Sequence, residues 1–266
     1  MPLDPKLRRA NWAAALARWL ARSPIDNRWL IGRLVEIGGN RVTLDGLTFA
    51  LDNSLIRTRD KSTVCRGLHE APELALVRTR LVTALPVIEL GGGIGIVSCN
   101  INRMLAHPGD HIVVEANPDL IPTLETNRRL NRCLYQVRSA ALAYGDEQTV
   151  LAIDSWATSR VGGGGTRRAV VATTTLAKLV RESGFPQVNL VVDIEGAEAD
   201  LVEREGALLA QRVRTLILET HPSITGAERA ANMIATIGSL GFAQTARVRQ
   251  VLAFDNLGLA PEGSGS

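Results

Sequence analysis

The sequence has 266 residues, 45% of them hydrophobic and 21% charged, and a formal net charge of +3, a balance typical of a globular protein with a sizeable core. The basic residues are spread along the chain, which argues against a nucleic-acid partner, and no apolar run approaches the ~18 residues of a membrane-spanning helix. Cys65, Cys99 and Cys133 show neither a zinc-binding spacing nor a disulfide framework, so they favour a reducing cytoplasm.

The first predicted element is a helix over residues 5–22, PKLRRANWAAALARWLAR. Apolar residues recur three and four positions apart on one face and arginines occupy the other; the apolar set is Trp12, Leu16, Trp19 and Leu20. Two interpretations stay open. The apolar face packs on its own domain or on a partner subunit of a homo-oligomer, or the helix makes a peripheral contact with an anionic membrane surface.

The region that follows, residues 28–56, is interpreted as short β-strands, because GNRVTLDGLTFAL combines alternating residues with Gly-Asn and Asp-Gly turns. Residues 67–84 predict a helix. We therefore divide the chain into an N-terminal helix with a short β cap (1–64), a main domain (65–258) and a disordered tail (259–266).

From residue 86 onward the pattern alternates between strand and helix. Apolar strands are predicted in PVIEL, HIVVEAN, CLYQVRSAAL, VNLVVDI and VRTLILET, and antiparallel strands in FAQTARV and QVLAF. A hairpin is predicted over 149–153 and 168–173, joined by a flexible glycine-rich loop, TSRVGGGGTRR. Apolar strands separated by helices indicate an α/β fold with a mostly parallel sheet covered on both faces.

A glycine-rich turn, VIELGGGIGIVSCN at residues 87–100, joins the first of these strands to its helix. Glycines there let a ligand approach the backbone, as in sites for phosphates, NAD and S-adenosylmethionine. The phosphate-binding Walker form is excluded, because no Gly-Lys-Ser/Thr follows. Glu115 closes the next strand, where a carboxylate can accept both hydroxyls of a ribose, which serves NAD and S-adenosylmethionine equally.

Two features favour S-adenosylmethionine over NAD. Glu89 precedes the glycines in an E-x-G-x-G-x-G pattern that is typical of methyltransferases. The Tyr-x-x-x-Lys pair of a hydride-transfer enzyme is absent, since Tyr135 and Tyr144 are followed four positions later by Ser139 and Gln148. A methyltransferase is therefore the favoured function, and an NAD-dependent oxidoreductase is the alternative.

Carboxylates and a histidine follow two later strands, at the edge where open α/β sheets bind ligands. Asp193 and Glu195 end one strand, and Glu219 and His221 end the next. An acceptor hydroxyl has to lose a proton during methyl transfer, and His221 is the preferred general base. A divalent cation held by these residues is the less favoured alternative. Glu198 is interpreted either as part of this site or as a helix cap.

Four segments together, VIELGGGIG, VVEANPDLIPTLETNRRLN, VDIEGAE and LILETHP, resemble the FkbM family of S-adenosylmethionine-dependent methyltransferases over roughly residues 65–245. The resemblance implies a Rossmann-like class I methyltransferase fold, with a mostly parallel seven-stranded sheet, helices on both faces, an antiparallel C-terminal strand, and here a small N-terminal α+β extension. It also implies O-methylation of a sugar hydroxyl in a glycolipid, polysaccharide or glycosylated metabolite, so the expected partner is a small molecule or a glycan.

By position, the resemblance assigns roles to individual residues. The methionine part of the cofactor is assigned to Glu89, Gly91, Gly93 and Gly95, the ribose to Glu115, and the adenine to Ser139 and Ala140. The residues assigned near the acceptor are Asp193, Glu195, Glu219 and His221. Glu70, in GLHEAPE, matches a family segment in which His69 stands where tyrosine is usual, so a role for that tyrosine hydroxyl does not carry over.

Overall fold

The computed structural model describes residues 5–23, 27–156, 158–161 and 167–259. The helices in these ranges are α1 Pro5–Ala21, α2 Arg28–Ile37, α3 Thr58–Cys65, α4 Ala71–Arg80, α5 Ile96–Met104, α6 Ile121–Leu130, α7 Leu176–Ser183, α8 Glu198–Arg212, α9 Pro222–Thr225 and α10 Ala227–Ser239. The strands are β1 Arg41–Leu44, β2 Leu47–Ala50, β3 Val87–Leu90, β4 His111–Glu115, β5 Gln136–Ser139, β6 Ala141–Leu142, β7 Gln148–Ser155, β8 Thr158–Val161, β9 Arg167–Thr174, β10 Val188–Val192, β11 Val213–Glu219, β12 Phe242–Val248 and β13 Val251–Asn256.

A seven-stranded sheet forms the centre of the molecule, with the strand order β12-β13-β11-β10-β3-β4-β5. Strand β13 runs antiparallel to both of its neighbours, and the other strand pairs of this sheet are parallel. This arrangement confirms the predicted Rossmann-like methyltransferase fold. The carboxyl ends of β3, β4, β10 and β11 consequently lie side by side along one edge.

Alternate residues of β3 face opposite layers of helices, because successive side chains of a strand point to opposite faces. Ile88 and Leu90 belong to a buried cluster with residues of α7, α8 and α10. Val87 belongs to a different cluster, shared with α4 and α5. Both faces of the sheet are therefore covered, which explains why its strands are near-continuously apolar.

A second sheet, ordered β6-β9-β7-β8, is inserted between β5 and α7. The predicted hairpin corresponds to the antiparallel pair β7 and β9. The prediction of a flexible loop between its two strands was wrong in part, because Thr158–Val161 pairs with β7 as strand β8. The four glycines of that segment lie outside the described residues, as does most of the predicted disordered tail.

The interpretation of residues 28–56 as strands was also wrong in part. Only β1 and β2 form, as an antiparallel hairpin, and Arg28–Ile37 is the helix α2. Its buried residues Ile31, Leu34 and Val35 are three and four positions apart, which is a helical period. Helix α4 is shorter than the predicted 67–84 and begins at Ala71.

Helix α1 forms as predicted, but only the leucines of its expected apolar face pack on the core, and the two tryptophans do not. Ala13 and Ala17 are buried, and Leu16 and Leu20 pack at the edge of the same cluster. Trp12 and Trp19 are 61% and 69% exposed. Small alanines allow the helix to pack closely on α2, and the large rings are left in solvent. No helix in the described ranges combines the length and apolar character needed to cross a bilayer.

The β1–β2 hairpin is joined to the central domain through helix α6. The side-chain oxygen of Asn127 accepts a hydrogen bond from the Ala50 backbone at 2.6 Å, and its nitrogen donates to the Ala50 carbonyl at 3.2 Å. Asn131 makes the same pair of bonds to Thr48, at 2.8 and 2.9 Å. The two amides thus satisfy backbone groups along β2 that would otherwise lack partners.

Candidate functional site

At the glycine turn after β3, the backbone has a conformation that residues other than glycine rarely adopt. Gly91 has φ +94°, and a Cβ atom there would collide with the carbonyl oxygen of Asp193. Gly93 has φ +52°, and its backbone N–H donates to Oε2 of Glu115 at 2.6 Å. The other oxygen of Glu115 accepts from the Asn117 backbone at 2.7 Å. Glu115 thus ties the glycine turn to the loop after β4.

A cavity of about 820 Å³, partly open to solvent, lies against this turn at the carboxyl ends of β3, β4 and β10. Part of this volume is open solvent at the mouth of the cavity, so the enclosed space is smaller than the total. The predicted site residues in its wall are Gly91, Gly93, Glu115, Ala140, Glu70, Asp193 and Glu195. Apolar residues of the second sheet and of the turn after β7 complete the wall, among them Leu142, Leu151 and Trp156.

Three residues that were assigned to the cofactor lie elsewhere. Glu89 is buried behind the turn, where it accepts from Ser98 Oγ at 2.8 Å and contacts His111 Nε2 at 3.0 Å. Gly95 is the N-cap residue that precedes α5. A Cβ atom there would be too close to Leu124 and Tyr135, so glycine at this position allows these side chains to pack against the turn. Ser139 is exposed, outside the cavity wall, whereas the neighbouring Ala140 forms part of it.

Glu115 is buried close to the glycine turn, and burial raises its pKa to about 7 even though backbone N–H groups of Asn117 and Gly93 favour the charged form. A carboxylate at this position can accept hydrogen bonds from ligand hydroxyls once it is ionised. Glu115, the predicted ribose acceptor, therefore lies in the cavity wall, and its ionised fraction changes with pH near neutrality.

His221 lies at the centre of a group of carboxylates beyond β10 and β11. Its Nδ1 atom is 2.9 Å from Oε1 of Glu198. Its Nε2 atom is 3.4 Å from Oδ1 of Asp193 and 3.7 Å from Oε2 of Glu195. The strands therefore bring together Asp193, Glu195 and His221 as predicted, and Asp193 and Glu195 also line the cavity.

The carboxylate of Glu198 has two functions in the structure. It accepts hydrogen bonds from the backbone N–H groups of Ile194 and Gly196, at 3.2 and 2.9 Å, and it also contacts His221. The contact with His221 supports the interpretation of Glu198 as part of the site, whereas the backbone groups that it accepts from belong to the loop before α8, and the N-cap of that helix, Ala197, has no side-chain hydrogen bond.

The carboxylates determine the charge of the imidazole. Burial would lower the pKa of His221, but the hydrogen bond with Glu198 and the negative charges of Asp193 and Glu195 outweigh it and raise the pKa to about 9. Burial raises the pKa of Asp193, against the opposing effect of His221. In the protein alone, His221 therefore carries a proton at neutral pH, and its action as a base requires the loss of that proton.

A second pair of acids flanks this group. Burial, followed by a hydrogen bond with Glu73, raises the pKa of Glu219 to about 10. Glu73 is buried on α4, far away in sequence. Glu219 therefore holds its proton at neutral pH, in a hydrogen bond with the carboxylate of Glu73.

The cavity wall also holds an aromatic contact. The ring of His69 lies 4.3 Å from that of Trp156, centroid to centroid, and its Nε2 atom is 3.1 Å from Oε1 of Glu70. Burial would lower the pKa of His69, but the charge of Glu70 outweighs it and raises the pKa. The position where tyrosine is usual in the resembling family is thus occupied by an imidazole that rests on Trp156.

Sequence reasoning missed Glu73, Trp156 and the contact between Glu198 and His221. Glu73 reaches the site from α4 through tertiary packing, for which the local pattern gives no signal. Trp156 follows β7, and its place in the cavity depends on how the inserted sheet folds over β3 and β4. For Glu198 a signal was present, since an acid two residues after Gly196 can reach back to the loop before the helix.

The sequence matches no family model and no curated protein. Solved structures share the fold. A protein of the NADB-Rossmann superfamily from Streptococcus agalactiae is 13% identical, with 69% of this chain and 67% of that chain covered and a TM-score of 0.43. Fibrillarin from Aeropyrum pernix, in complex with S-adenosyl-L-methionine, is 14% identical, with 68% of this chain and 74% of that chain covered and a TM-score of 0.43.

A third structure, precorrin-6y C5,15-methyltransferase from Geobacter metallireducens, is 9% identical, with 77% of this chain and 91% of that chain covered and a TM-score of 0.42.

Proposed function

We propose that this protein is an S-adenosylmethionine-dependent O-methyltransferase. The observation that carries the proposal is that a cavity bounded by Gly91, Gly93 and Glu115 meets the carboxylate group around His221 at one edge of the sheet. The first set suits a nucleoside with a charged tail, and the second suits removal of a proton. A methyl donor and an acceptor hydroxyl could therefore meet between them.

The cavity wall offers each part of the cofactor a suitable neighbour. Glu115 would accept the ribose hydroxyls, and the open backbone at Gly91 and Gly93 would receive the methionine part. The apolar segment from Ala140 to Leu142 would contact the adenine.

The alternative of an NAD-dependent oxidoreductase finds less support in the site. The chain has two tyrosines. Tyr135 is fully buried in the core, and Tyr144 donates to Glu205 at 2.7 Å. Neither lies in the wall of the cavity, so neither can serve as the acid for a carbonyl there.

Methyl transfer to oxygen requires the acceptor oxygen, the methyl carbon and the sulfur to lie in line. The acceptor proton has to leave, and of the predicted catalytic residues the imidazole of His221 can take it once its own proton is lost, whereas Glu219, with a pKa of about 10, already holds a proton at neutral pH. Asp193 lies both in the cavity wall and beside His221, so it connects the donor and acceptor sides of the site.

The resemblance of four sequence segments to the FkbM family supports a finer proposal, in which the acceptor is a sugar hydroxyl of a glycolipid, polysaccharide or glycosylated metabolite. Its test is methyl transfer to a panel of glycans and glycosides, detected as a mass increase of one methyl group. Transfer to amines but to none of the hydroxyl compounds would overturn the O-methyl assignment.

Calorimetry with S-adenosylhomocysteine tests the cofactor assignment. Wild-type protein is expected to bind it, and Gly93→Asp is expected to abolish binding, because the new side chain would enter the cavity beside Glu70 with a strained backbone. Gly109→Asp is the matched control, since its Cβ meets open space. Absence of binding by the wild type, or full binding by Gly93→Asp, would end the proposal.

A further inference from the structure

Asp193, Glu219 and His221 have the geometry of a metal-binding group. Each offers one ligand atom, and these atoms all lie within 4.8 Å of one another. Protein ligands hold divalent cations at roughly 2.0–2.6 Å. Donors this close together can therefore share one ion between them, with positions left for water or an acceptor oxygen.

The imidazole of His221 is already oriented as a metal ligand would be. Its Nδ1 atom is held by Glu198 at 2.9 Å, so Nε2 is directed toward Asp193 and Glu195, where a bound cation would take the place of its proton. Metal-binding histidines usually donate their other N–H to a carboxylate or carbonyl in this way, which fixes the tautomer and the ring orientation.

The carboxylates of the group have a single cationic neighbour. Within the described part of the chain, the ion pairs of Asp193 and Glu195 run to His221 alone, and Glu73 and Glu219 form none. Oδ1 of Asp193 is buried and has no hydrogen-bond partner. A buried polar oxygen without a partner is costly unless a cation or a ligand satisfies it.

We propose that Asp193, Glu219 and His221 bind one divalent cation of the Mn²⁺ class. Two carboxylate oxygens and one imidazole suit such an ion, and no thiolate is present among the three ligands to favour a softer metal. Its role rests on the proposed function: the ion would bind the acceptor hydroxyl, lower the pKa of that hydroxyl and hold its oxygen toward the methyl group.

The chemical step balances without a further reactant. The acceptor hydroxyl would release its proton to water in the open cavity, and its oxygen would form a bond to the methyl carbon. The carbon–sulfur bond of the sulfonium breaks, and the sulfur keeps the electron pair, which yields the methyl ether and S-adenosylhomocysteine.

The test is a titration of the full-length, EDTA-treated protein with Mn²⁺, with and without S-adenosylhomocysteine, followed by calorimetry and by the electron paramagnetic resonance signal of free Mn²⁺. One site per chain is expected. Asp193→Asn, Glu219→Gln and His221→Ala are each expected to weaken Mn²⁺ binding at least tenfold. Glu203→Gln, an exposed carboxylate paired with Arg229, is the matched control and should bind as the wild type does.

Retained binding of S-adenosylhomocysteine shows that each variant folds. Wild-type protein that binds S-adenosylhomocysteine but no Mn²⁺ would overturn the metal site and leave the proposed function standing. Mn²⁺ binding without S-adenosylhomocysteine binding would support the site and remove the proposed function. Unchanged Mn²⁺ affinity in folded His221→Ala and Glu219→Gln would also overturn the assignment.

Discussion

The Nδ1 nitrogen of His221 lies 2.9 Å from a carboxylate oxygen of Glu198, whose other contacts are backbone N–H groups of the loop before α8. A carboxylate can only accept, so Nδ1 donates and Nε2 is the nitrogen available to the site. One buried side chain therefore determines both the shape of the loop that carries Asp193 and Glu195 and the orientation of the imidazole.

Replacement of Glu198 by glutamine is expected to lower kcat about 10–100-fold, because the imidazole loses the charged partner that orients it. Affinity for S-adenosylhomocysteine should change less than twofold, since Glu198 is not part of the cavity wall. Glu205→Gln is the matched control: this buried carboxylate also accepts backbone N–H groups, from Leu176 and Ala177, but lies in another part of the fold. Wild-type kcat in Glu198→Gln would contradict the orienting role.

The pKa of Glu115, raised to about 7 by burial, predicts that cofactor affinity depends on pH. Ribose hydroxyls donate to the ionised carboxylate, so affinity should rise as pH increases through 7 and level off above 8. Between pH 8 and pH 6 the expected loss is about tenfold, because only about a tenth of Glu115 is ionised one unit below its pKa.

Calorimetry with S-adenosylhomocysteine at pH 6, 7 and 8 checks this dependence. Glu115→Gln cannot titrate and should bind weakly, with an affinity that is flat over the same range. A wild-type affinity that is equal at pH 6 and pH 8 would mean that the ribose does not rely on the charge of Glu115.

Much of the central fold could be predicted, because the signals were local. Apolar runs of four or five residues, each followed by glycines or acids, located β3, β4, β10 and β11 and the edge where Gly91, Glu115 and Asp193 meet. The misassigned α2 shows the limit of such reasoning. Its apolar residues Ile31, Leu34 and Val35 fit a helix, but neighbouring turn signals at Gly38–Asn40 favoured strands.

The parts of the site that were missed depend on tertiary packing. Glu73 is brought to Glu219 only when α4 packs beside β11. Glu89 fits the motif by sequence, yet its side chain points away from the cavity to His111, because alternate residues of β3 face opposite layers. Spacing along the chain identifies which strand end carries an acid, and does not decide which neighbours will surround it.

Replacement of Asn127 by alanine is expected to destabilise the protein by about 2–3 kcal/mol. Its buried amide bonds to the backbone of Ala50 at two points and to the Ile94 carbonyl, so the change leaves several buried polar groups unsatisfied. Urea unfolding measures the difference. Asn232→Ala, at an exposed position of α10, is the control and should stay within 0.5 kcal/mol, roughly the usual limit for surface changes. Equal stabilities would show that the amide contributes little to attachment of the hairpin.

The exposed rings of Trp12 and Trp19 allow the membrane interpretation of α1 to be tested. Tryptophan favours the boundary between lipid and water, and the exposed Arg18 and Arg22 nearby would be attracted to anionic headgroups. We expect the protein to sediment with phosphatidylserine-containing vesicles more than with neutral ones, and the double change Trp12→Ser and Trp19→Ser to lower the bound fraction at least threefold. Each ring that enters the membrane interface would contribute to binding through the apolar area that it buries there.

Leu257→Ser is the matched control, because this apolar side chain is 76% exposed but lies outside α1 and α2. Sedimentation velocity of the same variants distinguishes the other interpretation, in which α1 packs on a second copy of the chain. A dimer that dissociates on loss of Trp12 and Trp19, together with equal binding of wild type and variant to both vesicle types, would replace the membrane contact by a subunit interface.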